Sequence, residues 1–284
     1  MRVLVTGAGG QLGHDTVATC RASGDDVVGV DHARLDVTDR DQVLSVITTF
    51  RPDAVIHCAA WTAVDACESD PDRAFAANGL AVRWVVEGCH RAGAHLVHLS
   101  TDYVFDGSLD RPYRESDIPN PASVYGRSKL AGEHEARELG PDAAVVRTSW
   151  VSGQHGANMV RTVLRLIDQH PTLAFVDDQV GNPTFTADLA PMLRRLAVDR
   201  RSGVHHLTNQ RAVSWYGFVR EIVAAAGRDP AMVTPISTAD LQPPRPAARP
   251  ANSVLDNAVA RLGGLAPMRD FADPLRELIA ALAP

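Results

Sequence analysis

Short apolar runs alternate with longer stretches of helical periodicity through the first half of the chain. The apolar runs predict strands at residues 3–6, 27–30, 54–58, 95–100 and 143–147. Between them, apolar positions at helical spacing predict helices that begin near Leu12, at the cap Asp39, and over 70–89 and 124–138. This alternation is typical of βαβ units, so we predict an α/β fold with a Rossmann-type, doubly wound parallel sheet.

The second half of the chain differs from the first in its composition and in the order of its predicted elements. After Trp150, proline, glycine and polar residues become frequent, and strands and helices cease to alternate. The pattern predicts helices over 158–167, 187–196, 215–226 and 273–282, with strands over 173–176 and 204–207. We therefore expect one domain over 1–150 and a smaller α/β substrate-binding domain over 151–284, with a return to the first domain around 184–202.

Composition and charge narrow the class of protein. The chain has 284 residues, 45% of them hydrophobic and 22% charged, which is ordinary for a globular enzyme. A net charge of −6 gives no reason to expect a nucleic acid or an anionic membrane as partner. The four cysteines form no CxxC pair, and no apolar run has the length of a signal peptide core or a membrane span. We expect a cytoplasmic protein with reduced thiols.

Three glycines follow the first predicted strand and open the first predicted helix. Gly7 permits a tight turn, and Gly10 permits close approach of the backbone to a pyrophosphate. Gly13 permits close packing of the helix on the sheet. Their spacing resembles that of short-chain dehydrogenases/reductases of the extended branch, so we expect the first domain to bind a dinucleotide. Asp31, at the end of the second strand, favours NAD through the ribose hydroxyls, whereas Arg34 favours NADP through a 2′-phosphate.

Tyr125 and Lys129 lie four residues apart in the helix predicted over 124–138, which places both side chains on one face. Lys129 is the only lysine among 28 Lys and Arg residues, so a position where any positive charge sufficed is expected to hold arginine instead. We expect its ammonium to lower the pKa of the Tyr125 phenol. With Thr101 at the carboxyl end of a strand, the pattern predicts a hydride-transfer site in which Tyr125 exchanges the proton and Thr101 binds a carbonyl.

Motifs along nearly the whole chain resemble one family. They lie at 7–13, 57–65 with Glu68, Asn78, 100–107, 125–129 with Gly132 and Glu133, 147–150, 179–184 and 249–256. On these residues the chain resembles the dTDP-4-dehydrorhamnose reductase family of the extended short-chain dehydrogenases/reductases. The resemblance implies that a hydride from NADPH or NADH reaches C4 of a dTDP-linked 4-keto-6-deoxy sugar and gives dTDP-L-rhamnose, with Tyr125 as proton donor.

The resemblance also implies roles for other residues. Tyr103 and Trp150 are expected to face the sugar, and Arg249 and Asn252 to lie near the nucleotide diphosphate. The residues expected to contact the cofactor are Gly7, Gly10, Gln11, Leu12, Gly13, Asp31, Asp36, Val37, Cys58, Ala59, Ala60, Thr62, Tyr125 and Lys129. Some relatives hold Mg²⁺ at a dimer interface through acidic side chains; Asp15 and Asp188 stand at comparable places, so a homodimer stays open and no metal is predicted.

Several alternatives compete with this interpretation. A sugar 4,6-dehydratase of this fold places a glutamate two residues after its catalytic threonine, where this chain has Tyr103, which argues against dehydration. An epimerase, a reductase of another dTDP-4-keto-6-deoxy sugar or of a streptose precursor, and a non-catalytic regulatory subunit like that of methionine adenosyltransferase stay open. The chain has no GxSxG elbow and no HExxH motif, which disfavours a serine hydrolase and a zinc enzyme.

Overall fold

A central parallel sheet organises the molecule. The computed structural model describes residues 1–140 and 142–282. In this part of the chain the strands are β1 (Arg2–Thr6), β2 (Asp26–Val30), β3 (Ala54–His57), β4 (His95–Thr101), β5 (Ala144–Thr148), β6 (Val151–Ser152), β7 (Leu173–Val176), β8 (Val180–Gly181), β9 (Thr184–Phe185), β10 (Gly203–His206), β11 (Val213–Ser214) and β12 (Val233–Ile236). Six of them form the sheet in the order β10-β5-β4-β3-β1-β2.

Every pair of neighbours in this sheet is parallel, which confirms the predicted fold class. The chain leaves β1 toward β2 on one side and then crosses to β3 on the other. The strand order therefore reverses between β1 and β3, and the loops that follow these two strands diverge. In open α/β sheets the crevice at such a point, outside the carboxyl ends of the strands, is where ligands bind.

The helices cover both faces of the sheet. They are α1 (Gln11–Ala22), α2 (Arg40–Phe50), α3 (Val64–Ser69), α4 (Pro71–Phe75), α5 (Ala81–Ala92), α6 (Val124–Leu139), α7 (Met159–Gln169), α8 (Thr186–Val198), α9 (Trp215–Ala225), α10 (Ala258–Leu262) and α11 (Ala272–Leu282). An apolar layer that includes Leu189 and Leu193 of α8 packs on one face of the sheet. A second layer, with Val43 of α2 and Val85 of α5, packs on the other face.

The helix predicted over 70–89 is interrupted by a π-helical turn. The structure has α4, then a π-helical turn at Ala76–Leu80, then α5. The buried side chain of Asn78 lies in this wide turn, where it accepts a hydrogen bond from Trp61 N at 2.7 Å and donates to Ser128 Oγ at 3.0 Å. Periodicity alone does not register the extra residue of a π turn, and such turns are frequent at functional sites. Here the turn ties the segment after β3 to α6.

The second half contributes both to the sheet and to a cluster of its own. Strand β10 pairs with β5 at the edge of the sheet, and α8 packs against α1. Around Phe218 and Phe271, helices α7, α9 and α11 enclose a separate apolar core together with β7 and β12. The boundary proposed at residue 150 stays a prediction. No helix in the described ranges is both long and apolar enough to cross a membrane.

Candidate active site

The glycine loop joins β1 to α1 and leaves no room for a side chain at Gly7 or Gly13. Gly7 has a left-handed backbone, with φ of +68°, and a Cβ there would lie 2.7 Å from Ala59 N. A Cβ on Gly13 would lie 2.1 Å from the carbonyl oxygen of Gly7. Both positions therefore require glycine, one for its conformation and one for the close approach of α1 to the loop. The exposed backbone of the loop and the first turn of α1 form a cradle suited to an anion.

Two cavities meet at this loop. The larger, of about 930 Å³, extends over the ends of β1 and β2, and the smaller, of about 430 Å³, extends toward β4 and α6. Both are lined by Gly7, Gly10, Cys58 and Ala60. All of the residues expected to contact the cofactor line one or both of these cavities: Gly7, Gly10, Gln11, Leu12, Gly13, Asp31, Asp36, Val37, Cys58, Ala59, Ala60, Thr62, Tyr125 and Lys129.

The arrangement fits an extended dinucleotide. A two-part cleft with the glycine loop and a helix N-terminus at its middle matches a ligand with two nucleoside halves and a central pyrophosphate. Asp31 and Asp36 lie in the larger cavity, and the Asp36 carboxylate accepts hydrogen bonds from the backbone and hydroxyl of Thr38, which lower its pKa. Sequence reasoning missed Arg73, Ala76 and Ala77, which reach the larger cavity from α4 and the π turn.

Gln11 has a structural role besides its place in the loop. Its amide donates to Ala157 O at 2.9 Å and accepts from Gly153 N at 3.1 Å and from Asn158 Nδ2 at 2.9 Å. These bonds fasten the segment after β6 onto the start of α1. The side chain is thus engaged with the second half of the chain, and it holds the two halves together beside the glycine loop.

Thr101 lies at the carboxyl end of β4 and lines the smaller cavity. Its hydroxyl donates to Asp102 Oδ1 at 2.9 Å and accepts from Tyr103 N at 3.2 Å. Asp102 was not predicted as a site residue, although it lines the cavity and is almost fully buried. Burial raises the pKa of this carboxyl to about 6, against the hydrogen bonds from Ser253 and Thr101 that lower it.

Tyr125 reaches the same cavity from the first turn of α6. The helix begins there because Ser123 Oγ accepts from Gly126 N at 3.1 Å and Glu68 Oε1 accepts from Val124 N at 2.7 Å. The expectation that Lys129 lowers the pKa of Tyr125 is wrong for this structure. Burial raises the pKa of the phenol, and the Thr101 hydroxyl is the neighbour that opposes this rise.

Lys129 lies one helical turn after Tyr125 and is almost fully buried. Its ammonium donates to the carbonyl oxygen of Leu99 on β4 at 2.6 Å, which directs it to the edge of the cavity. Burial lowers the pKa of Lys129 to about 8, against the opposing effect of Glu133. Thr101, Tyr125 and Lys129 therefore line one cavity. The sequence suggested that Lys129 lowers the pKa of Tyr125, but the pKa of each residue is shifted mainly by its own burial.

Aromatic side chains form the wall of the smaller cavity. The Tyr103 ring meets Tyr125 edge-on, with centroids 5.5 Å apart. Trp150, which has a positive φ of 46°, stacks on Trp215 with centroids 3.6 Å apart and planes 8° apart. Both tryptophans line the cavity. Trp215 begins α9, far away in the sequence, and no local pattern marks it as a site residue.

Arg249 and Asn252 do not line either cavity. The Arg249 guanidinium makes two hydrogen bonds of 2.7 Å to the Asp65 carboxylate, and this pairing lowers the pKa of Asp65. Asn252 Nδ2 donates to the carbonyl oxygens of Leu109 and Arg111, and its Oδ1 accepts from Val254 N. The Asn252 amide holds two loops together, and the expected place of Arg249 and Asn252 near the nucleotide diphosphate stays a prediction.

The two acidic residues considered for Mg²⁺ have other hydrogen-bond partners within the chain. Asp188 accepts from Arg269 at 3.0 Å and from Asn209 at 2.6 Å, so its charge is already compensated by a guanidinium. Asp15 accepts from the Thr186 hydroxyl. In the described ranges, the side chains spaced closely enough for a metal are His14, Asp15 and His155, and this set leaves out Asp188.

The chain matches, over residues 1–283, the sequence model of the family described as RmlD substrate binding domain. The chain belongs to the RmlD substrate-binding domain family. Similar RmlD-type proteins include a dTDP-4-dehydrorhamnose reductase of Streptomyces griseus, 42% identical over 99% of this chain and 94% of the relative. A dTDP-4-keto-6-deoxy-D-glucose reductase of Streptomyces niveus is 40% identical over 97% of this chain and 96% of the relative.

A solved structure resembles the RmlD-family fold described above. It is the dTDP-4-dehydrorhamnose reductase of Bacillus anthracis in complex with NADP, which is 36% identical. Its TM-score is 0.94, and the match covers 99% of each chain. The likeness extends over both halves of the molecule, so the sheet, the glycine loop and the second half all belong to the shared architecture.

Proposed function

We propose that this chain is an NAD(P)H-dependent oxidoreductase that reduces the C4 keto group of dTDP-4-dehydrorhamnose to give dTDP-L-rhamnose. One observation carries the proposal: Thr101, Tyr125 and Lys129 line a single cavity that meets the glycine loop. Two relatives named as dTDP-4-dehydrorhamnose reductases, which match the chain over 99% of its length, support the choice of substrate.

Tyr125 is the proposed proton donor. Because burial raises the pKa of its phenol, the side chain stays protonated through the neutral pH range. A protonated phenol is the form that reduction of a carbonyl consumes, since the oxygen that develops negative charge must receive a proton. Tyr125 is 8% exposed, which limits the contact of its phenol with solvent.

Thr101 and Lys129 have positioning roles in the same step. The Thr101 hydroxyl is placed by Asp102 and by the backbone of Tyr103, and it turns from Asp102 to donate to the substrate carbonyl. An ammonium has three donors, of which Lys129 uses one for Leu99 O, so two are free for the hydroxyls of a ribose. The stacked Trp150 and Trp215 give a flat apolar surface against which a 6-deoxy sugar packs.

The cofactor is proposed to be NADPH, with NADH as a second donor. When bound, the reduced nicotinamide supplies the hydride. The backbone of the glycine loop and the start of α1 hold the pyrophosphate, and Asp31 faces the adenosine ribose in the larger cavity. The NADP complex of the Bacillus anthracis relative supports the phosphorylated cofactor, and Arg73 lines the cavity as a positive charge near it.

A second candidate substrate is another dTDP-4-keto-6-deoxy sugar. The Streptomyces niveus relative, named for a D-glucose-derived keto sugar, is almost as similar as the rhamnose-forming one. The test is an assay at 340 nm with NADPH or NADH and a panel of dTDP-4-keto-6-deoxy sugars prepared in situ, with product identification by NMR. We expect the highest kcat/KM with dTDP-4-dehydrorhamnose. Absence of cofactor oxidation with every sugar would contradict the proposed activity.

The proposed compartment is the cytoplasm. All four cysteines are free thiols, and three of them are buried without a partner cysteine. Thiols in this state are typical of a reducing compartment. The homodimer stays a prediction, which analytical ultracentrifugation of the purified protein tests.

A further inference from the structure

A buried ion pair lies behind the catalytic residues. Glu133 of α6 and Arg147 of β5 are 0% and 1% exposed. Arg147 Nε donates to Glu133 Oε1 at 2.9 Å, and Arg147 Nη2 donates to Glu133 Oε2 at 2.7 Å. Ser100 Oγ, one residue before Thr101, donates to the same Oε1 at 2.6 Å. Burying such a pair costs desolvation free energy that an apolar pair of the same size avoids, so its presence needs another reason.

Glu133 lies four residues after Lys129, one turn further along the same face of α6. Both side chains are buried, and the charge of the Glu133 carboxylate raises the pKa of Lys129, against the effect of burial. The Arg147 guanidinium is directed to the other side, where it lies over the Phe105 ring at 5.0 Å. Glu133 thus connects the strand that carries Thr101, the strand that carries Arg147, and the helix that carries Tyr125 and Lys129.

Four titratable groups around Lys129 carry no charge at neutral pH, whereas Asp102, which lines the same cavity, has a pKa that burial raises to about 6. His57 at the end of β3 and His98 on β4 stack at 5.4 Å, and burial lowers the pKa of His57 to about 3 and that of His98 well below its usual value. Burial raises the pKa of the Cys58 thiol to about 12 and also raises that of Tyr125. Glu133 and Cys58 are the described groups whose charge acts on the Lys129 ammonium, and of these two Glu133 is the carboxylate.

We propose that Glu133, held in place by Arg147 and Ser100, is a positioning residue that keeps the ammonium of Lys129 protonated at the edge of the cavity. A lysine buried among neutral groups loses its proton readily, because no water compensates its charge. The carboxylate one turn away offsets this loss, and the bidentate arginine fixes its orientation. That a protonated Lys129 binds the cofactor rests on the proposed function. The effect of Glu133 on the protonation of Lys129 does not rest on it.

The sole lysine of the chain makes this coupling measurable at a single atom. Protein labelled with ¹³C-lysine gives one Cε signal, that of Lys129, whose chemical shift follows its protonation with pH. We expect the Glu133→Gln variant to move the midpoint of this titration down by about one pH unit, as removal of an opposite charge at short range does. The experiment contains neither cofactor nor sugar, so its outcome is independent of the proposed activity.

Glu135 provides a matched control on the same helix. Its carboxylate pairs with Arg83 at 2.7 Å on the exposed side of α6, so Glu135→Gln removes the same charge from the other face. We expect this variant to leave the Lys129 midpoint unchanged. A Glu133→Gln protein that folds, as judged by near-UV circular dichroism, and titrates like the wild type would overturn the proposal.

A double variant covers the case in which Glu133→Gln does not fold because Arg147 is left unpaired. Glu133→Gln/Arg147→Gln removes both charges, and the proposal expects the Lys129 midpoint to fall in it as well. An unchanged midpoint in the double variant overturns the proposal, and so does failure of both variants to fold, since the pair would then serve the fold alone. In the variants that fold, NADPH binding should weaken above a certain pH, as in the wild type. We expect this pH to be lower than in the wild type by the same amount as the midpoint of the Lys129 titration.

Discussion

Tyr125 is a buried phenol whose protonation is governed by burial more than by the lysine one turn away. Its raised pKa suits proton donation, and the Thr101 hydroxyl is the neighbour that moderates it. The spacing of Tyr125 and Lys129 predicted their common location correctly. It did not predict their electrostatic relationship, because the direction of the Lys129 ammonium is set by Leu99 O on a different element.

Replacement of Tyr125 by phenylalanine tests the role of the phenol. Tyr125→Phe should lower kcat by about 10²- to 10⁴-fold, since this is the usual contribution of a positioned general acid. The dissociation constant for NADPH should stay within about twofold of the wild-type value, because the hydroxyl acts only when the proton moves. Steady-state kinetics and fluorescence titration give the two quantities. Wild-type turnover in this variant would place the proton donor elsewhere.

We expect Asp31, which lines the larger cavity, to set the balance between the two cofactors. A carboxylate beside the adenosine ribose accepts from its hydroxyls and repels a 2′-phosphate. We expect Asp31→Ala to raise the ratio of kcat/KM for NADPH to that for NADH by at least about tenfold, which corresponds to the loss of a short-range charge repulsion of about 1.4 kcal/mol. An unchanged ratio would mean that the carboxylate does not face the ribose.

At the scale of elements, the site depends on how α6 packs against the turn that follows β4. A Cβ on Gly126 would lie 2.2 Å from the carbonyl oxygen of Tyr103, so this contact admits only glycine. Tyr125 is thus placed by a backbone contact of the next residue in the sequence. The same packing brings Thr101, Asp102 and Tyr103 opposite the first turn of α6.

Gly126→Ala should separate these two elements. We expect the free energy of unfolding to fall by about 1–3 kcal/mol, as overpacking of a closely packed contact does, and kcat to fall because the phenol moves. Arg127→Ala, at the next position and exposed, should change stability by less than about 0.5 kcal/mol. Urea unfolding and steady-state kinetics of both variants test this. Equal stability of the two variants would contradict the described contact.

The sequence predicted those parts of the site in which chemistry restricts both residue type and local spacing. This class contains Gly7 and Gly13, Asp31, and the Tyr125–Lys129 pair. The strands of the sheet and the helices that pack on it were predicted on the same grounds. Trp215 could not be predicted, because only long-range packing of α9 brings it to Trp150. The hydrogen bonds of Asn252 to the backbone of a distant loop could not be predicted for the same reason. The π turn at Ala76–Leu80 was not predicted, because hydrophobic periodicity does not detect one inserted residue.

At the scale of the whole molecule, several buried histidines couple stability to pH. Burial lowers the pKa of His57 and of His206 to about 3 and that of His98 well below 6.5. In the unfolded chain these histidines titrate near pH 6.5. Below that pH they are protonated in the unfolded state, whereas in the folded state they stay neutral. Their contribution to stability is present above pH 6.5 and is lost as the pH falls toward 3.

We therefore expect the free energy of unfolding to decline steeply in mild acid. Three such groups contribute a slope of up to about 4 kcal/mol per pH unit once the pH is below about 5.5. Urea unfolding curves recorded between pH 7.5 and 4.5 measure this slope. Asp102, whose pKa is raised to about 6, acts in the opposite direction, but as a single group. A stability that is constant across this range would contradict the buried, neutral state of the histidines.

The central claim is that a hydride from the nicotinamide cofactor reaches C4 of a dTDP-linked keto sugar in the cavity that Thr101, Tyr125 and Lys129 line. The most direct measurement uses NADPH with deuterium at both C4 positions of its nicotinamide, together with dTDP-4-dehydrorhamnose prepared in situ. The account predicts dTDP-L-rhamnose with one deuterium at C4 of the sugar by NMR, and at most a trace of it with Tyr125→Phe. A product without deuterium at C4, or with deuterium at another carbon, would contradict it.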